Sequence, residues 1–134
     1  MKRRSIPLSC FMNSKHKQTF YTAMREWNVY ENDLIAVVYL LTADAELWKQ
    51  VEDYVIQYKF GYLQFRPKNL SVSGYTFFCA ANDLYFGTDF MTLGDLTDKA
   101  LLTPKEFYII INAVLIKQYG IKAFECITEG SDVQ

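Results

Sequence analysis

The eight residues Leu34-Ile-Ala-Val-Val-Tyr-Leu-Leu41 are apolar without interruption, and no other part of the chain constrains its fold as much. A membrane span needs about 20 such residues, so this run is too short to cross a bilayer and must be a core element. An element apolar on every side has to be enclosed on every side. Asn32 or Asp33 stands where a helix cap is expected, and the neighbouring segments repeat with helical spacing, which predicts a helix from Leu34 to about Leu41. Ile35, Val37 and Val38 would also suit a buried strand, because periodicity alone does not separate the two for a short run.

The flanking segments supply the wrapping. Ser14 is placed to cap a helix running to about Trp27, with His16, Phe20, Ala23, Met24 and Trp27 on one face. Asp44 and Glu46 open a third helix, whose stripe is Leu47, Trp48, Val51, Tyr54 and Val55. Negative charge there is stabilised by the partial positive charge of the helix start. A fourth helix is expected from Ser71 or Ser73 to Gly87, followed by a connector in which Thr92 to Leu96 could make one helical turn. Asp83, Asp89, Asp95 and Asp98, in and just before that connector, are expected to face solvent.

The sharpest boundary is Thr103-Pro104-Lys105-Glu106. It combines a capping hydroxyl, a proline at the first helical position and a glutamate at the third, so that cap and glutamate satisfy each other's orphan amides. Phe107, Ile110, Ile111, Val114, Leu115 and Gln118 continue this last helix to Gly120. The expectation is a mainly α, single compact domain of about five helices over 14–127. A small hairpin or extended segment is expected around 57–66 and a short strand at 121–127. Residues 1–13 read as a flexible basic arm, and 128–134 as a polar tail.

A chain of 134 residues buries roughly two-thirds of the surface its unfolded form exposes, enough for one ordinary domain. Cys10, Cys79 and Cys126 are far apart, odd in number and free of C-x-x-C spacing, which argues against a disulfide framework or a zinc site and for a cytoplasmic protein. Lys2, Arg3 and Arg4 precede an apolar stretch too short for a signal peptide. The net charge of −1 hides an uneven distribution: residues 1–25 carry six Lys or Arg and no acid, and residues 26–56 carry seven acids against Lys49. A pI near 5.8 lies far below the value of roughly 9 that marks an overall nucleic-acid footprint.

Groups for chemistry are sparse. His16 is the only histidine, and no nucleophile motif surrounds Cys10 or Cys126 that would make it one member of a dyad. The sequence has no phosphate-cradling glycine loop, no nucleophile elbow and no metal-binding His pair. The reading is therefore of a non-enzyme without cofactor or metal. Aromatics, by contrast, are abundant, with ten Tyr, ten Phe and two Trp. Tyr58, Phe60, Tyr62 and Phe65 alternate with Lys59, Arg66 and Lys68 where helical periodicity fails, a pattern shared with binders of single-stranded nucleic acid. Rings that merely roof the core would give the same pattern. A protein contact is the other functional reading, since aromatics are enriched at the centres of protein interfaces.

Phe11-Met-Asn13-Ser-Lys15-His16 with Phe20, the element Ala81-Asn82-Asp83-Leu84-Tyr85 and the hydrophobic last helix together resemble a family of small proteins from Firmicutes, their phages and mobile elements, in which these elements recur without an assigned activity. This chain departs from the pattern in having few Lys or Arg in its second half and extra aromatics in its middle. The resemblance implies recurring polar positions at Asn13, His16 and Asn82, for which capping or buried hydrogen bonds between the first and fourth helices are the simplest role. Together with the aromatic middle and the uneven charge, the resemblance leads to the expectation of a phage or mobile-element protein that binds and occludes a host protein, as an anti-CRISPR or another counter-defence factor. The expected partner is a host protein, such as a nucleic-acid-binding effector, whose basic surface would meet an acidic face of Glu31, Asp44, Glu46, Glu52 and Asp53. Self-association through exposed aromatics overlaps this reading. The alternative is a nucleic-acid-binding accessory protein using the basic arm and segment 58–68.

Overall fold

The computed structural model describes residues 3–58, 66–124 and 126–128. Their architecture is mainly α, as expected: strand β1 (Arg3–Ser5), helices α1 (Ser14–Trp27), α2 (Asn32–Leu41), α3 (Ala45–Tyr58), α4 (Val72–Phe86), α5 (Leu93–Leu96) and α6 (Pro104–Tyr119), and strand β2 (Cys126–Thr128). Short 3-10 turns at Leu8–Cys10 and Ile121–Ala123 complete the described elements.

The apolar run is a helix at the centre of the core. Ile35 to Leu41 are all buried, with α6 and α4 packed on α2 and with α1 and α3 completing the enclosure. Enclosure of this kind removes any need for a polar face, and it selects a helix over a strand because a helix satisfies its own backbone groups. The cap differs from the expected one. Glu31 occupies the N-cap position without a side-chain bond, and Asn32 and Asp33 lie inside the first turn. Asp33 instead pairs with Lys117 of α6 at 3.2 Å, at the edge of the α2–α6 contact.

Helix α1 also starts differently from its expected cap at Ser14. Asn13 takes that role, its Oδ1 accepting the His16 amide at 2.8 Å, and Asn28 closes the helix in the left-handed conformation at φ 53°. Helix α3 begins as its acids suggested, with Asp44 Oδ1 accepting the Leu47 amide at 2.9 Å. The other oxygen of Asp44 receives the Ser71 hydroxyl at 3.5 Å, while Ser71 caps α4 by accepting from the Gly74 amide. One carboxylate thus serves two helix starts. Gly74 is the residue that permits this approach, because a Cβ there would sit 3.1 Å from the Asp44 carboxyl group.

Both strongest sequence signals near the C-terminal half are realised. Thr103 and Glu106 form the reciprocal capping box of α6, and Glu106, which is buried, also accepts a short hydrogen bond from the Ser73 hydroxyl of α4. We expect Thr103→Ala to lower stability by about 0.5–2 kcal/mol, the usual cost of losing such a cap, measured by urea denaturation. Gly87 ends α4 at φ 74° with nothing within 4 Å of a built Cβ. Gly87→Ala should therefore cost about 1–2 kcal/mol from backbone conformation alone, read as a lower melting temperature.

One expectation is corrected. The chain from Arg3 onward is no flexible arm, because β1 pairs antiparallel with β2 in the register Arg3 with Thr128, Arg4 with Ile127 and Ser5 with Cys126. Ile6 and Phe11 are then fully buried, an anchor that the lack of periodicity in 1–13 concealed. The short strand expected within 121–127 is present as Cys126–Thr128, after a 3-10 turn at Ile121–Ala123. Helix α3 continues to Tyr58, so the start of the segment expected to be extended around 57–66 is helical; its residues 59–65 lie outside the described ones. Thr92 to Leu96 does make one turn, with its own capping box between Thr92 and Asp95.

Candidate functional site

His16 sits at the third position of α1 and projects under the C-terminal end of α2. The last carbonyls of a helix have no amide partner within it, and the Tyr39 carbonyl is one of these. It is satisfied by His16 Nε2 at 2.8 Å and by the Thr42 hydroxyl at 3.3 Å. His16 Nδ1 accepts the Met12 amide at 3.0 Å. An acceptor at Nδ1 requires the proton to reside on Nε2, so the ring is neutral and donates to Tyr39.

Around this ring the packing is aromatic. Phe11 meets His16 edge-on at 5.0 Å between centroids, Tyr39 lies 5.1 Å away, and Phe20 stands at 90° to Tyr39. The Tyr39 hydroxyl makes a short hydrogen bond to the Cys10 carbonyl and accepts from Asn112 of α6 at 3.1 Å. Burial lowers the His16 pKa to about 4, against the bond to the Tyr39 carbonyl, which favours the charged ring, and with added repulsion from Lys105. Burial likewise raises the Tyr39 hydroxyl above its usual value. Both ring nitrogens of His16 are thus committed to backbone groups, and neither is available as a base for the Cys10 or Cys126 thiol.

The other polar positions are structural in the same sense. Asn13 caps α1, and Asn82 donates to the Phe78 carbonyl of its own helix at 2.9 Å. The expected bridge between the first and fourth helices is replaced by one from the first helix to the second, made by His16. Asp83 does not face solvent as expected. Its carboxylate accepts from the Thr88 hydroxyl at 2.5 Å and from the Phe90 and Met91 amides at 2.8 and 2.7 Å, and so folds the connector back onto the end of α4. Tyr39, Ser73 and Asn112 went unsuspected, since nothing in an apolar run or a helical stripe marks which hydroxyl or amide will find a distant carbonyl.

Of the aromatic–basic segment, Lys59, Phe60, Tyr62 and Phe65 lie outside the described residues, and Tyr58 is the last residue of α3. Arg66 and Lys68 are exposed. The backbone of Lys68 is clamped by the Gln50 side chain, which donates to its carbonyl at 2.8 Å and accepts its amide at 2.9 Å. Arg66 acts electrostatically on Tyr75, an exposed ring of α4.

The acidic positions are spread from the start of α2 to the middle of α3. Glu31 stands at the start of α2 and Asp44 beyond its end, which a ten-residue helix separates by about 15 Å. Asp44 is spent on helix starts, Glu46 is exposed in the first turn of α3, and Asp53 lies along that helix. Glu52 borders a cleft of about 450 Å³ between α1 and α3, together with Glu26, Lys15, Lys49 and Trp48. The Trp27 and Trp48 rings approach to 5.0 Å beside it. Both charge signs on these walls leave the cleft without a marked polarity.

Among the described residues no group of three or more His, Cys, Asp or Glu side chains is placed to hold a metal ion, and no helix is long and apolar enough to cross a membrane. Burial raises the Cys79 thiol above its ordinary pKa, opposed by its bond to Tyr75 and reinforced by Asp83 and Asp95, which disfavours the nucleophilic thiolate. What the surface does display is large apolar side chains: Tyr30, Tyr75, Phe86, Phe90, Leu93, Tyr108 and Tyr119 are all exposed. No protein-family model, curated protein or solved structure matches the chain.

Proposed function

We propose that this chain is a non-catalytic, protein-binding protein of phage or mobile-element origin that inhibits a host protein by occlusion, as an anti-CRISPR or another counter-defence factor. The observation that carries the reading is the placement of aromatic side chains in solvent, on α4, α6 and the connector between them, in a domain whose single histidine is held by backbone groups. Exposed aromatic surface of this kind is what protein interfaces use as anchors. Arg66 and Lys68, exposed beside the aromatic segment, and Glu46 and Glu52 on α3 supply charge that would orient an encounter.

The test is a pull-down from host lysate with the tagged chain, repeated with the double variant Tyr75→Ala and Phe90→Ala, at exposed rings of α4 and the connector. A stoichiometric partner retained by the wild type and lost by the variant, at unchanged circular dichroism, is the expected result. Each anchor ring should weaken binding at least tenfold. Recovery of no stoichiometric partner overturns the proposal. So does salt-sensitive binding of DNA or RNA as the only interaction seen, which would favour a nucleic-acid accessory protein instead.

A further inference from the structure

Residues 3–12 belong to no α-helix, yet they supply two fully buried side chains, Ile6 and Phe11. The Phe11 ring lies among four rings that the helices provide: His16 at 5.0 Å between centroids, Phe20 at 5.7 Å, Tyr21 at 6.2 Å and Tyr39 at 5.7 Å. All four separations suit favourable ring pairs. The segment therefore lies over α1 and α2 as a strap whose Phe11 fills a ring-lined groove.

This strap is fastened differently from the helices. Four hydrogen bonds tie it to them, and in each the helix contributes a side chain and the strap a backbone group. Tyr21 of α1 accepts the Ile6 amide at 3.2 Å, and His16 accepts the Met12 amide at 3.0 Å. Lys105 of α6 donates to the Ser9 carbonyl at 3.3 Å, and Tyr39 of α2 donates to the Cys10 carbonyl. Two further bonds, from the Cys10 amide to the Pro7 carbonyl at 3.0 Å and from the Phe11 amide to the Leu8 carbonyl at 2.9 Å, stay inside the strap and can travel with it. At its outer end, Arg3 to Ser5 pair with Cys126 to Thr128, and a two-stranded ribbon is marginal by itself.

Lifting the strap would thus break none of the hydrogen bonds that build the helices. The hydroxyls of Tyr21 and Tyr39, the Lys105 ammonium and His16 Nδ1 are side-chain groups that water can satisfy in its place. Helix α2 keeps its packing on α4 and α6. The loss is the burial of Ile6 and Phe11, and it is offset by the backbone freedom that ten residues regain. Units balanced in this way open on their own, below the free energy of global unfolding. We propose that residues 3–12 form a strap that lifts from the helices as one unit while α1 to α6 stay folded, uncovering the groove of His16, Phe20, Tyr21 and Tyr39.

Amide hydrogen exchange of the full chain, followed residue by residue by NMR, tests the proposal. The Ile6 and Met12 amides are six positions apart and bonded to different side chains, yet one opening should release both. They are expected to exchange at similar rates, at least about a hundredfold faster than the slowest amides of α2 and α6. Tyr21→Phe keeps the ring beside Phe11 and removes only the acceptor of the Ile6 amide. It should speed exchange at Met12 as much as at Ile6, by roughly fivefold for one neutral hydrogen bond, and leave the α2 and α6 amides unchanged. Should Tyr21→Phe fail to fold, Lys105→Met, which removes the contact to Ser9, is expected to give the same pattern. Strap amides as protected as those of α2 overturn the proposal, because the strap then opens only with the whole fold. Acceleration confined to Ile6 in Tyr21→Phe overturns it too, because the strap then opens piece by piece.

Discussion

Replacing His16 by Ala should lower the stability of this chain by about 3–5 kcal/mol and leave no function selectively impaired in the molecules that still fold. The substitution strands the Met12 amide and removes the main donor to the Tyr39 carbonyl. Each buried polar group left without a partner costs about 1–3 kcal/mol. It also empties a site that is 2% exposed and walled by Phe11 and Tyr39, where incomplete collapse adds a cavity term. Urea denaturation gives the number directly. His16→Gln, whose amide can still donate to the Tyr39 carbonyl, should recover part of the loss. A catalytic histidine would behave in the opposite way, with its alanine variant keeping the melting temperature while an activity disappears. A stability change within about 0.5 kcal/mol, the range of ordinary surface substitutions, would show that the backbone contacts of the ring are not what holds Met12 and α2 together.

The same ring shows how much of this fold can be read from the sequence. Leu34 to Leu41 announces a core element because nothing but enclosure suits it, and Thr103-Pro104-Lys105-Glu106 announces a helix start because three local rules coincide there. Signals of that type act over a few residues, so they survive in the linear order. His16 on an apolar stripe was legible as a buried position. Its partners were not, since Met12 is a backbone amide and Tyr39 lies 23 residues away within a run that reads as purely hydrophobic. Asp83 illustrates the reverse error. Its charge suggests solvent, whereas the turn after Gly87 brings three donors back to it.

The candidate contact surface divides similarly. Periodicity fails after Gln57, but helix α3 runs on to Tyr58 because backbone bonds do not depend on an apolar stripe. The acidic positions stand close together in the linear order, which does not show the jobs that folding gives them. Folding sends Glu31 and Asp44 to opposite ends of α2 and gives Asp44 to two helix starts. The outward face of α6 was hidden for a different reason. A hydrophobic helix reads as core all round, and only its position beside α2 and α4 decides which half is left over.

Acid should destabilise the fold through His16 in a window that other side chains leave nearly empty. The unfolded chain binds a proton at this residue near pH 6.5, whereas burial delays protonation of the folded form to about pH 4. Between those values the unfolded state holds more protons, so unfolding becomes more favourable as pH falls. The contribution is absent above pH 6.5, grows by at most about 1.4 kcal/mol per pH unit, and reaches about 3 kcal/mol at pH 4 and below. Ordinary carboxylates titrate mostly below pH 5, and His16 is the only histidine, so the slope between pH 6.5 and 5 belongs chiefly to this ring. Structurally, the second proton would have to enter at Nδ1, where it would face the Met12 amide, donor against donor. Urea denaturation of the wild type and of His16→Gln from pH 7.5 to 4 separates the effect from carboxylate protonation, which both chains share. The wild type should lose about 1.6 kcal/mol more than His16→Gln between pH 6.5 and 5. Parallel profiles would mean that the folded protein accepts a proton at His16 as readily as the unfolded one, and hence that the ring is not held neutral between Met12 and Tyr39.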